Sequence, residues 1–240
     1  MSRASGDLSQ SREGEATVGV VVPAAGSGQR MGGTSKPFLE LCGEPVLMRA
    51  LRPFLAHPGV REVVVSLPTV HAESPPEWLI EMDDRIRVVE GGKTRRESVW
   101  AGLQALSDTI DVAVVHDGAR PLVEPEVVGR CIELARNGLG GVAGVPAIDT
   151  IKEVDGDGNV VATPDRSRLW HAQTPQAFPL AMIMHAHRRA FTEDFRATDD
   201  AALVERGGGR VVMVEASGEN LKITWPEDLE VGELVLSRRK

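Results

Sequence analysis

Tyrosine is absent from the 240 residues, and only five Phe and four Trp are present. The formal charge is −8 and the sequence pI is about 5.3. Such a chain has neither a basic surface to neutralise a phosphate backbone nor many rings for bases to stack on, so nucleic acid is not an expected partner. Cysteine is almost as scarce. Cys42 and Cys131 are too few and too far apart for a disulfide framework or a zinc site, and both are expected as reduced thiols in or near the core of a cytoplasmic protein. No stretch approaches the roughly 20 apolar residues of a membrane span. Residues 1–16, MSRASGDLSQSREGEA, lack the apolar segment of a secretory signal, and Asp7, Glu13 and Glu15 argue against a transit peptide. They are expected to form a disordered tail ahead of one large domain covering 17–240.

What the chain has in quantity is glycine beside cations. In VGVVVPAAGSGQRMGGTSKP, Val18 to Pro37, a β-branched run stops at Pro23 and opens into a loop holding Gly26, Gly28, Gly32, Gly33, Arg30 and Lys36. Backbone N–H groups close on phosphate oxygens most easily where no Cβ blocks the approach. The dinucleotide pattern G-x-G-x-x-G fails at Met31, and the P-loop pattern fails at Thr34. A tight strand-to-helix turn with two surface cations is the plainer alternative, but the number of glycines together with Arg30 and Lys36 favours an anion-binding loop of another kind.

From Thr17 onward strands alternate with helices. Strands are expected at 18–23, 62–67, 86–90 and 111–115. Helices are expected from Pro45, over 76–82, over 95–106 and over 125–137, with a kink at Pro53 in the first and Gly138 stopping the last. The pattern predicts an α/β fold with a mostly parallel sheet covered by helices. Ligands then lie at the carboxyl ends of strands, where the glycine loop, Gly91-Gly92-Lys93 and His116-Asp117 should share one rim. Strands over 142–147, 150–154 and 160–163, the last two joined by Asp155-Gly156-Asp157-Gly158-Asn159, read as a hairpin arm suited to dimer contact. The turn lacks the later ligands of a calcium loop. The segment 170–178 returns to the core. Helices follow over 180–190, from a Thr198 cap to Arg206, and from Pro226 at its first position. Strands are expected at 211–214 and around Lys222.

Arg30 and Lys36 suit a triphosphate and the charge that builds on a phosphoryl centre. Asp117, directly after an apolar strand, is placed to hold Mg²⁺ or, equally, to cap a turn. Arg120 could grip a second anion or pair with Glu124. Lys222, between Leu221 and Ile223, either snorkels to solvent or points into a charged site. His116, His171, His185 and His187 show no metal-binding spacing.

The stretches PAAGSGQRM with Lys36, GGKTRRESVWAGL, VHDGARP, DTIK, DRSRLWHAQTPQAF, TDDAALVE and NLKITWPEDL together resemble the 2-C-methyl-D-erythritol 4-phosphate cytidylyltransferase family, from residue 18 to about 230. The resemblance implies a Rossmann-like nucleotidyltransferase sheet with a β-arm, about 148–172, that makes a homodimer. It implies transfer of a cytidylyl group from CTP to methylerythritol phosphate, with release of pyrophosphate and with Mg²⁺ or another divalent cation. Carried over by motif, Ala24, Ala25, Gly26 and Gly28 would line the nucleotide, with Gly92, Lys93, Ser98 and Gly118 beside it. Lys93 departs from the Asp or Asn often found there, so its base contact would come from its backbone. Arg30 and Lys36 would stabilise the transition state. Asp117 would lie near Mg²⁺ and substrate. Arg120, Thr174 and Lys222 would hold the methylerythritol phosphate, and Thr150 and Arg166 would reach it from a partner's arm. Two other readings stand beside this one: a ribitol 5-phosphate cytidylyltransferase, which DTIK and DRSRLWHAQTPQ disfavour, and a non-catalytic nucleotide-binding subunit.

Overall fold

The computed structural model describes residues 16–26, 38–193, 195 and 197–239. The expected tail lies outside them apart from Ala16. So does most of the glycine loop, including Gly28, Arg30 and Lys36.

The first strand, β1 (Val18–Pro23), is central because its side chains are apolar on both faces. Val18, Val20 and Val22 enter one core and Val21 enters the other, all fully buried. A hairpin of β2 (Glu40–Leu41) and β3 (Glu44–Pro45) follows, turning through Cys42 and Gly43 at φ 49 and 72. It is a finding beyond the sequence reading, and it leaves Cys42 exposed rather than near the core. Then come α1 (Val46–Leu55), β4 (Val60–Leu67), α2 (Thr69–Glu73), α3 (Glu77–Ile80), β5 (Ile86–Glu90), α4 (Arg95–Ala105), β6 (Val112–Val115) and α5 (Pro125–Arg136). Pro53 does not break α1: it lies in the last turn, and Ala56 N–H still reaches Arg52 O at 3.0 Å.

The second half contains β7 (Gly140–Pro146), β8 (Glu153–Val154), β9 (Val160–Ala162), a single 3₁₀ turn (Arg166–Arg168), β10 (Trp170–Pro179), α6 (Leu180–Thr192), α7 (Asp200–Arg206), β11 (Val211–Glu215) and α8 (Glu227–Arg238). Three sequence expectations are corrected here. Helix α7 is capped by Asp199, whose carboxylate accepts from Ala202 N–H at 3.0 Å, and not by Thr198. Residues 220–223 are not a strand: Ile223 N–H bonds to Ala119 O at 2.8 Å, tying the segment to a loop instead of a sheet. Pro226 is the cap of α8 and not its first helical residue.

Seven strands form the main sheet in the order β11-β7-β10-β6-β1-β4-β5. β6, β1, β4 and β5 run parallel, β7 and β11 are parallel to each other, and β10 is antiparallel to both its neighbours. α1 and α5 cover one face through Leu47, Leu51, Phe54, Val128 and Ile132. α4, α6 and α7 cover the other through Val99, Leu103, Ile183 and Val204. Each such side chain, fully buried, contributes roughly 1.5–3 kcal/mol. β8 and β9 form a separate, exposed two-stranded hairpin.

Helix α4 approaches β1 closely because Gly102 has no side chain. A Cβ there would stand 2.4 Å from Val21 Cγ1, an atom of a strand-bound β-branched residue with little freedom to move. Gly102→Ala is therefore expected to destabilise the protein by about 1–3 kcal/mol, outweighing the helix-propensity gain of about 1 kcal/mol. Thermal unfolding of the two proteins checks this.

Candidate active site

Four parallel strands present their carboxyl ends to one rim, and the loops leaving β1, β5 and β6 meet there. Ala24 N–H bonds to Ser66 O at 2.8 Å, and Gly91 N–H to Leu67 O at 2.7 Å, so the loops after β1 and β5 both start from β4 as a common support. Their backbones nearly touch. A Cβ on Gly91 would lie 2.5 Å from Ala25 Cβ, and one on Gly118 would lie 3.3 Å from Ala24 Cβ. Ala24, Ala25, Gly91 and Gly118 are thus brought together, and among the described residues nothing comes within 4 Å of a Cβ placed on Gly26.

The start of α4 is fixed by a capping box. Thr94 Oγ1 accepts from Glu97 N–H at 3.2 Å, and Glu97 Oε2 accepts from Thr94 N–H at 3.1 Å. Gly92 is required just before it, since a Cβ there would fall 2.2 Å from Glu97 Cβ. Lys93 is exposed at the rim. Ser98 is buried, and its hydroxyl bonds internally to Thr94 O at 3.0 Å and Gly92 O at 3.3 Å.

The cap delivers Arg95 to the first position of the helix, an unfavourable end of the dipole for a cation. Two carboxylates compensate. Arg95 Nε donates to Asp117 Oδ1 at 2.9 Å, and its Nη1 to Asp200 Oδ2 at 2.7 Å. Behind Asp200, His187 Nε2 donates to Oδ1 at 2.9 Å. In front, Lys222 Nζ donates to Asp117 Oδ2 at 2.7 Å. A continuous chain, His187–Asp200–Arg95–Asp117–Lys222, runs from the core to the rim. Burial would raise the carboxyl of Asp117, but Arg95 and Lys222 overcome this and hold it far below the usual carboxylate range. Asp200 is likewise lowered against its burial by Arg95 and by the His187 hydrogen bond. Burial would lower the pKa of Arg95, and the two acids raise it instead.

Arg120 lies beside this chain. Its Nη1 donates to Asn220 O at 2.7 Å, and its Nε is 3.9 Å from Asp117 Oδ2 with no hydrogen-bond partner among the described residues. It does not pair with Glu124, whose carboxylate faces Arg239. Thr174 is buried in β10, where the register with β7 breaks between Ala172 and Gln176. Its hydroxyl accepts from Asp117 N–H at 3.0 Å. Thr150 and Arg166 are not on this rim's network. They lie on the exposed arm, where Arg166 Nη1 donates to Ile148 O at 2.6 Å.

The sequence reading singled out Lys222, Asp117 and Arg120 but gave no role to Arg95, Asp200, His187, His116 or Asn220. One signal was present. Asp200 stands on the same helical face as Leu203 and Val204, an acid on an apolar stripe, and such an acid must find a buried cation.

Asp117 does not fit as a ligand of a protein-held metal, because both its oxygens are occupied by cations. Among the described residues no three His, Cys, Asp or Glu side chains gather as a metal site. A divalent cation here would take its oxygens from phosphate and water. Among the described residues no helix is long and apolar enough to cross a membrane.

Glycine turns beside Arg95, Arg120 and Lys222, at the carboxyl edge of a mostly parallel sheet, suit an α/β enzyme that binds phosphorylated substrates, the class to which nucleotidyltransferases belong. Comparison with known proteins agrees. The family model for 2-C-methyl-D-erythritol 4-phosphate cytidylyltransferase matches residues 18–238. A protein of that name from Symbiobacterium thermophilum is 46% identical over 220 residues, covering 91% of this chain and 92% of the relative. A crystal structure of a protein of that name from Thermus thermophilus is 33% identical with a TM-score of 0.76, covering 92% and 99%. That of a 4-diphosphocytidyl-2C-methyl-D-erythritol synthase from Anaerococcus prevotii is 29% identical with a TM-score of 0.84, covering 93% and 97%. The chain belongs to the 2-C-methyl-D-erythritol 4-phosphate cytidylyltransferase family.

Proposed function

We propose that this rim carries out the family's reaction through its cations. The protein transfers a cytidylyl group from CTP to 2-C-methyl-D-erythritol 4-phosphate, giving 4-diphosphocytidyl-2-C-methyl-D-erythritol and pyrophosphate, a step of non-mevalonate isoprenoid precursor synthesis. An oxygen of the acceptor phosphate attacks the α-phosphorus of CTP. The bond from that phosphorus to the β-phosphate bridging oxygen breaks, and pyrophosphate leaves. A phosphate monoester is largely dianionic at neutral pH, so the nucleophile needs no general base. The barrier lies in bringing two anions into line, and fixed cations lower it.

The observation that carries this reading is the pairing of Asp117 with both Lys222 and Arg95. One buried carboxylate pre-positions two cations and lets Lys222 remain half-exposed at the mouth. Lys222 and Arg120 hold the acceptor phosphate next to Asp117. Ala24, Ala25, Gly26 and Gly28 cradle the triphosphate, while Gly92, Lys93, Ser98 and Gly118 border the nucleoside. Thr174 orders the Asp117 backbone beneath the acceptor. Arg30, Lys36 and Lys222 stabilise the charge that develops on the transferring phosphoryl group. Mg²⁺ or another divalent cation, bound through the triphosphate oxygens, would screen their charge.

A homodimer completes the site. The arm exposes Ile148, Val154, Val160 and Val161, and an isolated two-stranded hairpin gains little stability of its own. A second copy covering this face would bring Thr150 and Arg166 to the acceptor in the opposite subunit. The protein acts in the cytoplasm.

Pyrophosphate release from CTP tests the reading. It is expected with methylerythritol phosphate and not without it, with ribitol 5-phosphate a poor replacement. CTP binding with no pyrophosphate from either acceptor would instead identify a nucleotide-binding subunit.

A further inference from the structure

We infer that His116 is a positioning residue: a neutral imidazole, protonated on Nε2, that clips the two ends of the 116–120 turn and so holds Asp117 and Arg120 at a set separation. The inference rests on the roles given above to Asp117 and Arg120.

The proton assignment follows from counting donors. Arg120 O can only accept, so His116 Nε2, 3.0 Å away, carries hydrogen. Thr174 Oγ1 accepts from Asp117 N–H at 3.0 Å and lies 3.1 Å from His116 Nδ1. With Nε2 protonated in a neutral ring, Nδ1 is a bare lone pair, and the single hydroxyl hydrogen of Thr174 points to it. Hydrogen bonds then run without a gap from Asp117 N–H through Thr174 and the imidazole to Arg120 O. The turn is closed independently by Arg120 N–H to Asp117 O at 2.9 Å. Burial supports the neutral ring by pushing the His116 pKa down to about 4, and Phe54 packs on the ring with centroids 4.8 Å apart.

A buried neutral imidazole has one donor and one acceptor to satisfy wherever it sits, so what marks His116 is the identity of its two partners. Here each nitrogen holds a different part of the site. Nδ1 acts through Thr174 on Asp117, which gathers Lys222 and Arg95. Nε2 acts on the backbone of Arg120, whose guanidinium lies 3.9 Å from the same carboxylate. Two substitutions separate these effects. The carboxamide oxygen of Asn can take the place of Nδ1 but reaches no further. The carboxamide nitrogen of Gln reaches the Nε2 position and leaves Thr174 without its acceptor.

Nitrogen–proton correlation spectra of the imidazole at neutral pH, assigned by the signal lost in His116→Gln, are expected to show the Nε2–H tautomer. An Nδ1–H tautomer or an imidazolium would overturn the clip. This readout needs no turnover, so it stands apart from any failure of the cytidylyltransferase reading itself. In steady-state assays, His116→Asn is expected to raise the KM for the acceptor roughly tenfold with little change in kcat. His116→Gln is expected to lower kcat roughly tenfold with the KM for CTP unchanged. If both variants melt lower yet keep native kcat and both KM values, the histidine is structural only and the proposal fails.

Discussion

Lys222→Ala is expected to reduce kcat by roughly 10²–10³, the loss typical of removing one charge-stabilising donor from a preorganised site. Lys36→Ala is expected to do the same. Folding should survive both changes. Lys222 Nζ bonds Asp117 Oδ2 at 2.7 Å, and although that carboxylate is buried, 43% of the lysine side chain is exposed, so its removal lets water reach the vacated oxygen. Asp117 would keep Arg95 as its second partner. The backbone at 222–223 is secured separately, by Ile223 N–H on Ala119 O and by burial of the Ile223 side chain. Lys222→Arg should recover only part of the rate, because a planar fork cannot reproduce a compact ammonium at the same point. The comparison is made by kcat at saturating CTP and acceptor, with melting temperature as the control. Near-native turnover in both alanine variants would remove the cations from the mechanism.

How far these residues could be read beforehand depends on how local their signals are. The strands announced themselves because β1, β4 and β6 are β-branched runs with both faces buried, and that pattern needs no knowledge of neighbours. Lys222 stood out as a cation between Leu221 and Ile223, yet its surroundings were misread as a strand. What holds it is the 116–120 loop, far earlier in the chain, through Ile223 N–H on Ala119 O and Arg120 Nη1 on Asn220 O, and no periodicity records that. Arg95 was passed over for a related reason. As one of two adjacent arginines after Gly92 it looks like an exposed helix start, and only the fold shows that Asp117 and Asp200 converge on it. His187 and His116 were tested for metal spacing and dismissed. Their partners are a carboxylate on α7 and a hydroxyl on β10, contacts made by tertiary packing and invisible to spacing rules.

Arg95→Leu carries the largest expected loss of stability. Asp200 is 1% exposed and Asp117 7%, and Arg95 is the cation they share. Taking it away leaves Asp200 with the His187 hydrogen bond as its one remaining side-chain partner among the described residues, an uncompensated buried charge worth about 3–5 kcal/mol of destabilisation. The pH dependence identifies the cause. In the unaltered protein both carboxyls are held below their ordinary range, so their contribution is complete above the unfolded value of about 4 and is lost only as pH falls below it toward the folded values. In the variant the cation is gone and burial dominates, which raises the Asp200 carboxyl above its unfolded value. A group shifted that way is relieved by protonation. The gap between variant and parent should therefore narrow as the pH is lowered from about 8 to about 5. Adding Asp200→Asn to Arg95→Leu should recover part of the loss at the higher pH and little at the lower, since the stranded charge no longer exists. Urea unfolding of the parent, Arg95→Leu and the double variant at both pH values measures this. A deficit that is the same at both, and unaffected by Asp200→Asn, would mean that Arg95 contributes packing rather than charge, and that the chain from His187 to Lys222 is not electrostatically continuous.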